Sequence, residues 1–121
     1  MAAKRGQRVV RLKCGDPGVF GRSTEEVDAL KASGIAFEII PGITAACAAA
    51  ASIGESLTDR GKIDTVVLTT GHRQDGYAVP EPIKDIRPGT CVALYMAVGA
   101  APQIVDHLKA AHPGVQFDLQ I

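Results

Sequence analysis

A short apolar run passes directly into a glycine-rich turn in Val9-Val10-Arg11-Leu12-Lys13-Cys14-Gly15-Asp16-Pro17-Gly18. Apolar and β-branched residues that end at a glycine are typical of a buried strand, so we predict a strand over residues 8–13. A second such turn follows at Pro41-Gly42-Ile43-Thr44-Ala45. In open α/β sheets, ligands bind beyond the carboxyl ends of the strands. These two turns are therefore the candidate ligand-binding loops.

The residues between the two turns predict a helix followed by a second strand. Ser23-Thr24-Glu25-Glu26 matches a capping box, in which the hydroxyl of Ser23 caps the helix and Glu26 reaches back. Gly34 offers a left-handed stop for that helix. Residues 36–40 have the composition of a strand. We therefore expect residues 8–40 to form a right-handed β-α-β unit with parallel strands.

The rest of the chain continues this alternation of strands and helices. Thr44 is expected to begin an alanine-rich helix that ends near Ser52. Further elements follow in the order strand, strand, helix and extended segment, at residues 65–70, at residues 91–96, after Pro102 and at residues 115–121. The predicted fold class is α/β, with one or more largely parallel sheets and flanking helices.

Composition and charge exclude some classes of partner. Hydrophobic residues make up 46% of the 121 residues and aromatic residues only 4%, so the core must be aliphatic. Lys and Arg together number 13, as do Asp and Glu, and the formal net charge is zero. Binding to nucleic acid or to an anionic membrane relies on clustered positive charge. We therefore expect neither partner.

The cysteine spacing argues against a metal site and against a disulfide framework. Cys14, Cys47 and Cys91 are odd in number and far apart, and no Cys-x-x-Cys pair exists. Reduced thiols fit a cytoplasmic protein. We expect Cys47 and Cys91 in the core and Cys14 near a ligand.

Five segments in order resemble the tetrapyrrole methylase family and, within it, the uroporphyrinogen-III C-methyltransferases. They are residues 10–26, residues 40–46, Ser56-Leu57-Thr58-Asp59-Arg60, Thr70-Gly71-His72 and Tyr95-Met96. Three departures from the family pattern concern single residues within these segments. Cys14 stands where the family has the first glycine of a pair, Gly18 replaces a phenylalanine, and Asp59 replaces a histidine.

The resemblance implies a two-domain α/β enzyme that binds S-adenosylmethionine in the cleft between its domains and works as a homodimer. The implied reaction is C-methylation of uroporphyrinogen III, a small-molecule tetrapyrrole, to precorrin-2 for sirohaem and cobalamin biosynthesis. On this resemblance, residues 1–63 correspond to the C-terminal part of the first domain and residues 64–121 to the N-terminal part of the second. The chain is then expected to be the central segment of such an enzyme, incomplete at both ends.

The resemblance also implies a set of site residues. Those that match the family's cofactor contacts are Cys14, Gly15, Asp16, Val19, Thr44, Ala45 and Met96. Elementary chemistry supports three of them: Gly15 allows close approach of a ligand, Asp16 supplies hydrogen-bond acceptors, and Thr44 lies at a helix N-terminus that favours a carboxylate. Each also has a structural alternative, with Asp16 as a turn initiator, Thr44 as a plain N-cap and Met96 as a core residue.

Arg22 and Arg60 are candidates to bind substrate carboxylates, with solvated surface charge as the alternative. We assign no catalytic acid or base and no metal ligand. Two functions stay open. One is a tetrapyrrole methyltransferase that is inactive as this isolated segment, and the other is a non-catalytic α/β remnant that acts as a binding or oligomerisation module. Binding of the product S-adenosylhomocysteine would distinguish them.

Overall fold

A computed structural model gives the structure of residues 2–73, 76–77, 79–84 and 86–120. The chain divides into two compact units, Met1–Glu55 and Ser56–Ile121. The first unit contains the helices α1 (Ser23–Ala32) and α2 (Ala45–Ser52), and the second contains the described strands and the helix α3 (Ala101–Ala111). The observed class is α/β, as the sequence predicts.

The helix α1 ends at a left-handed glycine. Gly34 follows α1 with a left-handed φ of 64°, and its N–H donates to the carbonyl of Lys31 at 3.0 Å. The N–H of Ile35 reaches back to the carbonyl of Leu30 at 3.0 Å. This pair of bonds is a Schellman motif, which satisfies carbonyl groups in the last turn. The left-handed stop predicted at Gly34 is confirmed.

The capping box predicted at the start of α1 is wrong. Ser23 is already helical, and the N-cap is Arg22, which has no capping hydrogen bond from its side chain. Glu26 instead accepts hydrogen bonds from Lys13 at 3.0 Å and from Arg11 at 3.3 Å. A carboxylate bonds more strongly to cations than to a neutral N–H, so these two side chains take Glu26 away from the helix end.

The strands predicted at residues 8–13 and 36–40 are also wrong. Neither segment has a backbone ladder to any other described residue, and their apolar side chains are exposed, Val10 by 72%, Leu12 by 81% and Ile40 by 67%. A strand exists only where a neighbouring segment pairs with it. Composition predicts the tendency to extend but not the partner. Residues 115–120 likewise form no strand, and Ile121, the end of that predicted segment, lies outside the described residues.

The second unit contains the parallel pairing that the sequence predicts. Strands β1 (Thr65–Thr70) and β4 (Thr90–Tyr95) pair in parallel from Thr65 opposite Thr90 to Thr70 opposite Tyr95. The chain between them includes a short antiparallel pair, β2 (His72–Arg73) with β3 (Gly76–Tyr77), and a 3-10 turn at Glu81–Ile83. Parallel strands need such a long crossover because a tight turn cannot join them.

The core of the second unit packs against β4 and is formed by residues of the crossover and of the chain that follows β4. Ile83, Ala97, Ala100 and Ile104 form this core, and Ile83 and Ala100 are each only 1% exposed. Ala97 follows β4, and a Cβ placed on Gly71, directly after β1, would lie 2.8 Å from the Cβ of Ala97. Pro102 lies in the first turn of α3, as predicted.

Two expectations about burial have different outcomes. The helix α2 buries Ala46 and Ala50, which are four residues apart and share one face. Cys47 lies off that stripe and is exposed, so its predicted place in the core is wrong. Cys91 on β4 is partly buried. Within the described ranges, no helix combines the length and the apolar character that a membrane crossing requires.

The core predicts a clear contrast between two substitutions near α3. Ile104→Ala should lower the free energy of unfolding by about 2 to 4 kcal/mol, because it leaves a cavity beside Ile83 and Ala97. Val98→Ala is the control, because Val98 is 79% exposed and its loss should cost under about 0.5 kcal/mol. Urea denaturation measures both. Equal losses in the two variants would contradict the described core.

The ion pairs of Glu26 predict a dependence of stability on pH. The hydrogen bond from Lys13 is the main cause that lowers the pKa of Glu26 below its ordinary 4.5. A carboxyl whose pKa is lower in the folded state stabilises the fold above its unfolded pKa, and that contribution is lost as the pH falls through the folded pKa. Glu26→Gln should therefore destabilise the chain at pH 7, with a difference that shrinks as the pH falls below 4.5 and disappears below the lowered pKa of the folded state.

Glu38→Gln is the matched control for this pH series, since Glu38 is exposed and pairs with no cation in the described part of the chain. Thermal melts between pH 3 and pH 7, roughly the range over which a carboxyl titrates, compare the two variants with the unmodified chain. A penalty for Glu26→Gln that stays constant across the series would overturn the assignment.

Candidate functional site

Two loops of the first unit meet through the carboxylate of Asp16. We call residues 14–19 the glycine loop and residues 41–45 the helix-entry loop. The Oδ2 atom of Asp16 accepts a hydrogen bond from the N–H of Gly42 at 2.9 Å, across the two loops. Its Oδ1 atom accepts one from the N–H of Gly18 at 2.8 Å, inside the glycine loop. The carboxylate therefore joins the two candidate ligand-binding loops to each other.

The backbones of the two loops approach closely because glycine occupies two positions. A Cβ placed on Gly42 would overlap the carbonyl oxygen of Gly15 and would lie 3.1 Å from its carbonyl carbon. Gly15 has a left-handed φ of 67°, which side chains disfavour, and its own Cβ would lie 3.5 Å from the carbonyl oxygen of Ile43. Glycine at positions 15 and 42 is thus a condition of the contact.

The cysteine that departs from the family pattern fits the glycine loop without strain. Cys14 does not have a positive φ; the left-handed residue is its neighbour Gly15. The thiol of Cys14 is exposed. The Cys14 side chain, which replaces a glycine, is therefore compatible with the backbone conformation of this loop.

The environment of Asp16 keeps its carboxyl ionised. The hydrogen bond from the N–H of Gly42 lowers the pKa of Asp16 below its ordinary 3.8, and the bond from Gly18 lowers it further, against an opposing effect of burial. The N–H of Val19 also donates to the main-chain carbonyl of Asp16 at 3.2 Å, so the residue starts a turn as well. Asp16 therefore starts a turn, which is the structural alternative, and it also joins the two candidate loops.

The helix-entry loop leads into the N-terminus of α2. Thr44 is the N-cap with extended backbone (φ −68°, ψ 150°), and its carbonyl accepts the first helical bond from Ala48 at 3.1 Å. The predicted start of the helix at Thr44 is confirmed, although the Thr44 hydroxyl makes no capping bond. Ala45 is exposed and is the first residue of α2, so its N–H comes before the first hydrogen bond of the helix. N–H groups at this end of a helix favour an anionic group.

A strained segment that the sequence did not predict directly follows the glycine loop. Phe20 and Arg22 both have left-handed backbones, with φ of 52° and 54°. Gly21 between them is tightly packed, since a Cβ there would lie 2.5 Å from the carbonyl oxygen of Pro17. Non-glycine residues in this region cost energy and concentrate at ligand sites. The sequence signal that could have revealed this segment is the pair Gly18 and Gly21, with bulky residues between and after the two glycines.

Met96 lies in the second unit, immediately after β4. It has a left-handed φ of 53°, and 57% of its surface is exposed, whereas the next residue, Ala97, is buried. The structural alternative, in which Met96 packs in the core, is therefore wrong. Val19, by contrast, is partly buried in the first unit.

The two candidate substrate-binding arginines have different surroundings. The guanidinium of Arg22 bonds to both carboxylate oxygens of Glu25 at 2.8 and 2.9 Å. Arg60 is exposed in the turn closed by the bridge between Asp59 and Ile63. The side chain of His72 lies outside the described part of the structure. Among the described residues, no three His, Cys, Asp or Glu side chains are grouped as metal ligands.

Comparison with known proteins gives one family and consistent relatives. The family model of the tetrapyrrole (corrin/porphyrin) methylases matches residues 1–118. The siroheme synthase of Pseudomonas paraeruginosa is 46% identical over 109 residues, and that of Gluconacetobacter diazotrophicus is 47% identical over 107 residues. These alignments cover 89% and 88% of this chain but only 23% of each relative.

A solved structure is similar as well. The X-ray structure of a cobalamin biosynthetic enzyme, cobalt precorrin-4 methyltransferase, has a TM-score of 0.76 and 32% sequence identity. The match covers 89% of this chain and 46% of that protein. The chain thus spans about a quarter of the curated relatives and less than half of the solved structure that it matches.

Proposed function

The chain belongs to the tetrapyrrole methylase family, and we propose that it binds S-adenosylmethionine at the glycine loop and the helix-entry loop for the methylation of a tetrapyrrole. One observation carries this proposal. The carboxylate of Asp16 holds the exposed backbone of Gly15 beside the N-terminus of α2, so that two kinds of ligand-binding backbone lie next to each other. The residues that build this contact are those that match the family motifs.

The residues of the two loops fit the chemical groups of the cofactor. The N–H of Ala45 at the start of α2 suits the cofactor's carboxylate. Gly15 leaves its backbone open for ribose or amino groups, and Cys14 and Val19 offer contacts for the apolar parts. Met96, in the second unit, is proposed as a cofactor contact because it matches the family motif. When bound, S-adenosylmethionine supplies a methyl group on a sulfonium. The role of this chain's residues is to bind and orient that group against the substrate.

For the substrate we propose uroporphyrinogen III, methylated at two ring carbons to precorrin-2 on the routes to sirohaem and cobalamin. The motifs around Gly15-Asp16-Pro17 and the identity to proteins named siroheme synthase support this choice. Arg22 and Arg60 are proposed to bind the carboxylates of the tetrapyrrole. The pair of Arg22 with Glu25 is exposed on both sides, and such pairs are weak enough to exchange partners.

The same proposal includes an assembly and a compartment. A homodimer is supported by the two extended segments of the first unit, which expose Val10, Leu12 and Ile40 and make no ladder bonds within the described part of the chain. Exposed apolar side chains beside unpaired extended backbone promote association with another chain. A domain junction between residues 63 and 64 and a cytoplasmic location, which suits the three unpaired cysteines, complete the proposal.

Binding of S-adenosylhomocysteine to this chain tests the proposed function. At a hundred times its dissociation constant, the ligand should stabilise the fold by about 2.7 kcal/mol, which raises the melting temperature. Alkylation followed by mass spectrometry adds an internal control, because Cys14 and Cys47 are both exposed. The ligand should protect Cys14 and leave Cys47 reactive. A folded chain that shows no heat of binding and no protection of Cys14 would contradict the proposal.

Sedimentation equilibrium at micromolar concentration tests the proposed self-association. We expect a species heavier than the monomer, and we expect Leu12→Lys to weaken it because this substitution places a charge in the exposed apolar segment. Val98→Lys, at an equally exposed site in the second unit, is the control and should leave the association unchanged. A monomer across the whole concentration range is the contrary result.

A further inference from the structure

We propose that Asp16 is a positioning residue: its carboxylate fixes the spacing of the two loops, and the ligand meets the backbone that it holds rather than the carboxylate itself. This inference rests on the proposed function and deepens it, because it assigns the binding contacts to Gly15 and Ala45. From sequence alone, the carboxylate of Asp16 is expected to offer its acceptors to the ligand. The geometry gives those acceptors to Gly18 and Gly42.

The hydrogen bonds and the exposures of the site carry this assignment. Each carboxylate oxygen of Asp16 already accepts one main-chain N–H at under 3 Å, from Gly18 and from Gly42. Asp16 is partly buried, whereas Gly15 and Ala45 on either side of the contact are exposed. A ligand that enters from solvent therefore reaches the backbone of these two residues. The two hydrogen bonds of the Asp16 carboxylate set where this backbone lies.

Gly42 completes the clamp formed by Asp16, Gly18 and Gly42. A side chain at position 42 would collide with the carbonyl of Gly15, and the N–H of Gly42 would then no longer reach Oδ2 of Asp16. Asp16 and Gly42 thus act through one shared hydrogen bond, although Gly42 has no side chain that could contact a ligand. Residues that act through one shared contact show non-additive effects when both are changed.

The clamp has a spectroscopic signature in the ligand-free chain. In an NMR titration, the amide protons of Gly18 and Gly42 should move together with one midpoint below pH 3.8, since both report the same carboxylate. In Asp16→Asn, both amide signals should shift away from their positions in the unmodified chain at pH 7. A general loss of stability would not produce this pair of effects.

Calorimetry with S-adenosylhomocysteine then links the clamp to binding. Asp16→Asn and Gly42→Ala should each weaken binding by about tenfold or more, as expected for loss of a bond to a charged group. The double variant should lose no more than the weaker-binding single variant. Asp28→Asn makes the same charge change on α1, where the Asp28 side chain makes no hydrogen bond to a described residue, and Gly34→Ala strains a left-handed glycine outside the two loops. Both controls should keep the affinity of the unmodified chain.

Two results would overturn the clamp. One is separate or absent titration of the Gly18 and Gly42 amides. The other is loss of affinity in Asp16→Asn with both amide signals unchanged, which would mean direct contact of the carboxylate with the ligand. If the unmodified chain binds no S-adenosylhomocysteine, the proposed function fails, and the amide titration still decides whether the clamp exists. If the ligand binds and the amides do not titrate together, the clamp fails and the proposed function stands.

Discussion

The hydrogen bond from the N–H of Gly42 to Asp16 is the contact on which the candidate site depends. This bond joins two residues that are 26 positions apart in sequence. It requires glycine at position 42, because a side chain there would collide with the carbonyl of Gly15. The ionised carboxylate makes this bond stronger than one between neutral groups. The exposed backbone of Gly15 and the N-terminus of α2 are brought together by this one interaction.

Local signals predicted much of the structure correctly. The alanine-rich run after Thr44, the β-branched run at residues 65–70 and Pro102 each fix an element through the conformational preferences of its own residues. The parallel pairing of β1 with β4 agrees with the largely parallel sheet that the alternation of strands and helices predicts. The glycines at positions 15 and 42 marked the loops that meet, since each residue permits a close approach.

The errors concern features that depend on distant partners. Residues 8–13 have the composition of a strand, but pairing needs a neighbour that composition does not name. Glu26 has the spacing of a capping residue, yet Lys13 and Arg11 take its carboxylate from outside the helix. The distant partner of Asp16 was also not predictable, because a preceding glycine and a following proline do not reveal that its second oxygen bonds to Gly42. Its predicted role at the cofactor site stays a prediction. The left-handed backbone of Phe20 lies next to the close approach of Gly21 to Pro17, a contact that composition does not reveal.

The most direct test of the account is a map of the backbone amides that respond to S-adenosylhomocysteine in the isotopically labelled chain. If the ligand binds where the two loops meet, the largest chemical-shift changes in the first unit occur at Gly15, Gly18, Gly42 and Ala45. Saturable changes confined to other surfaces, such as the exposed face of α1, with these four amides unmoved, would contradict it.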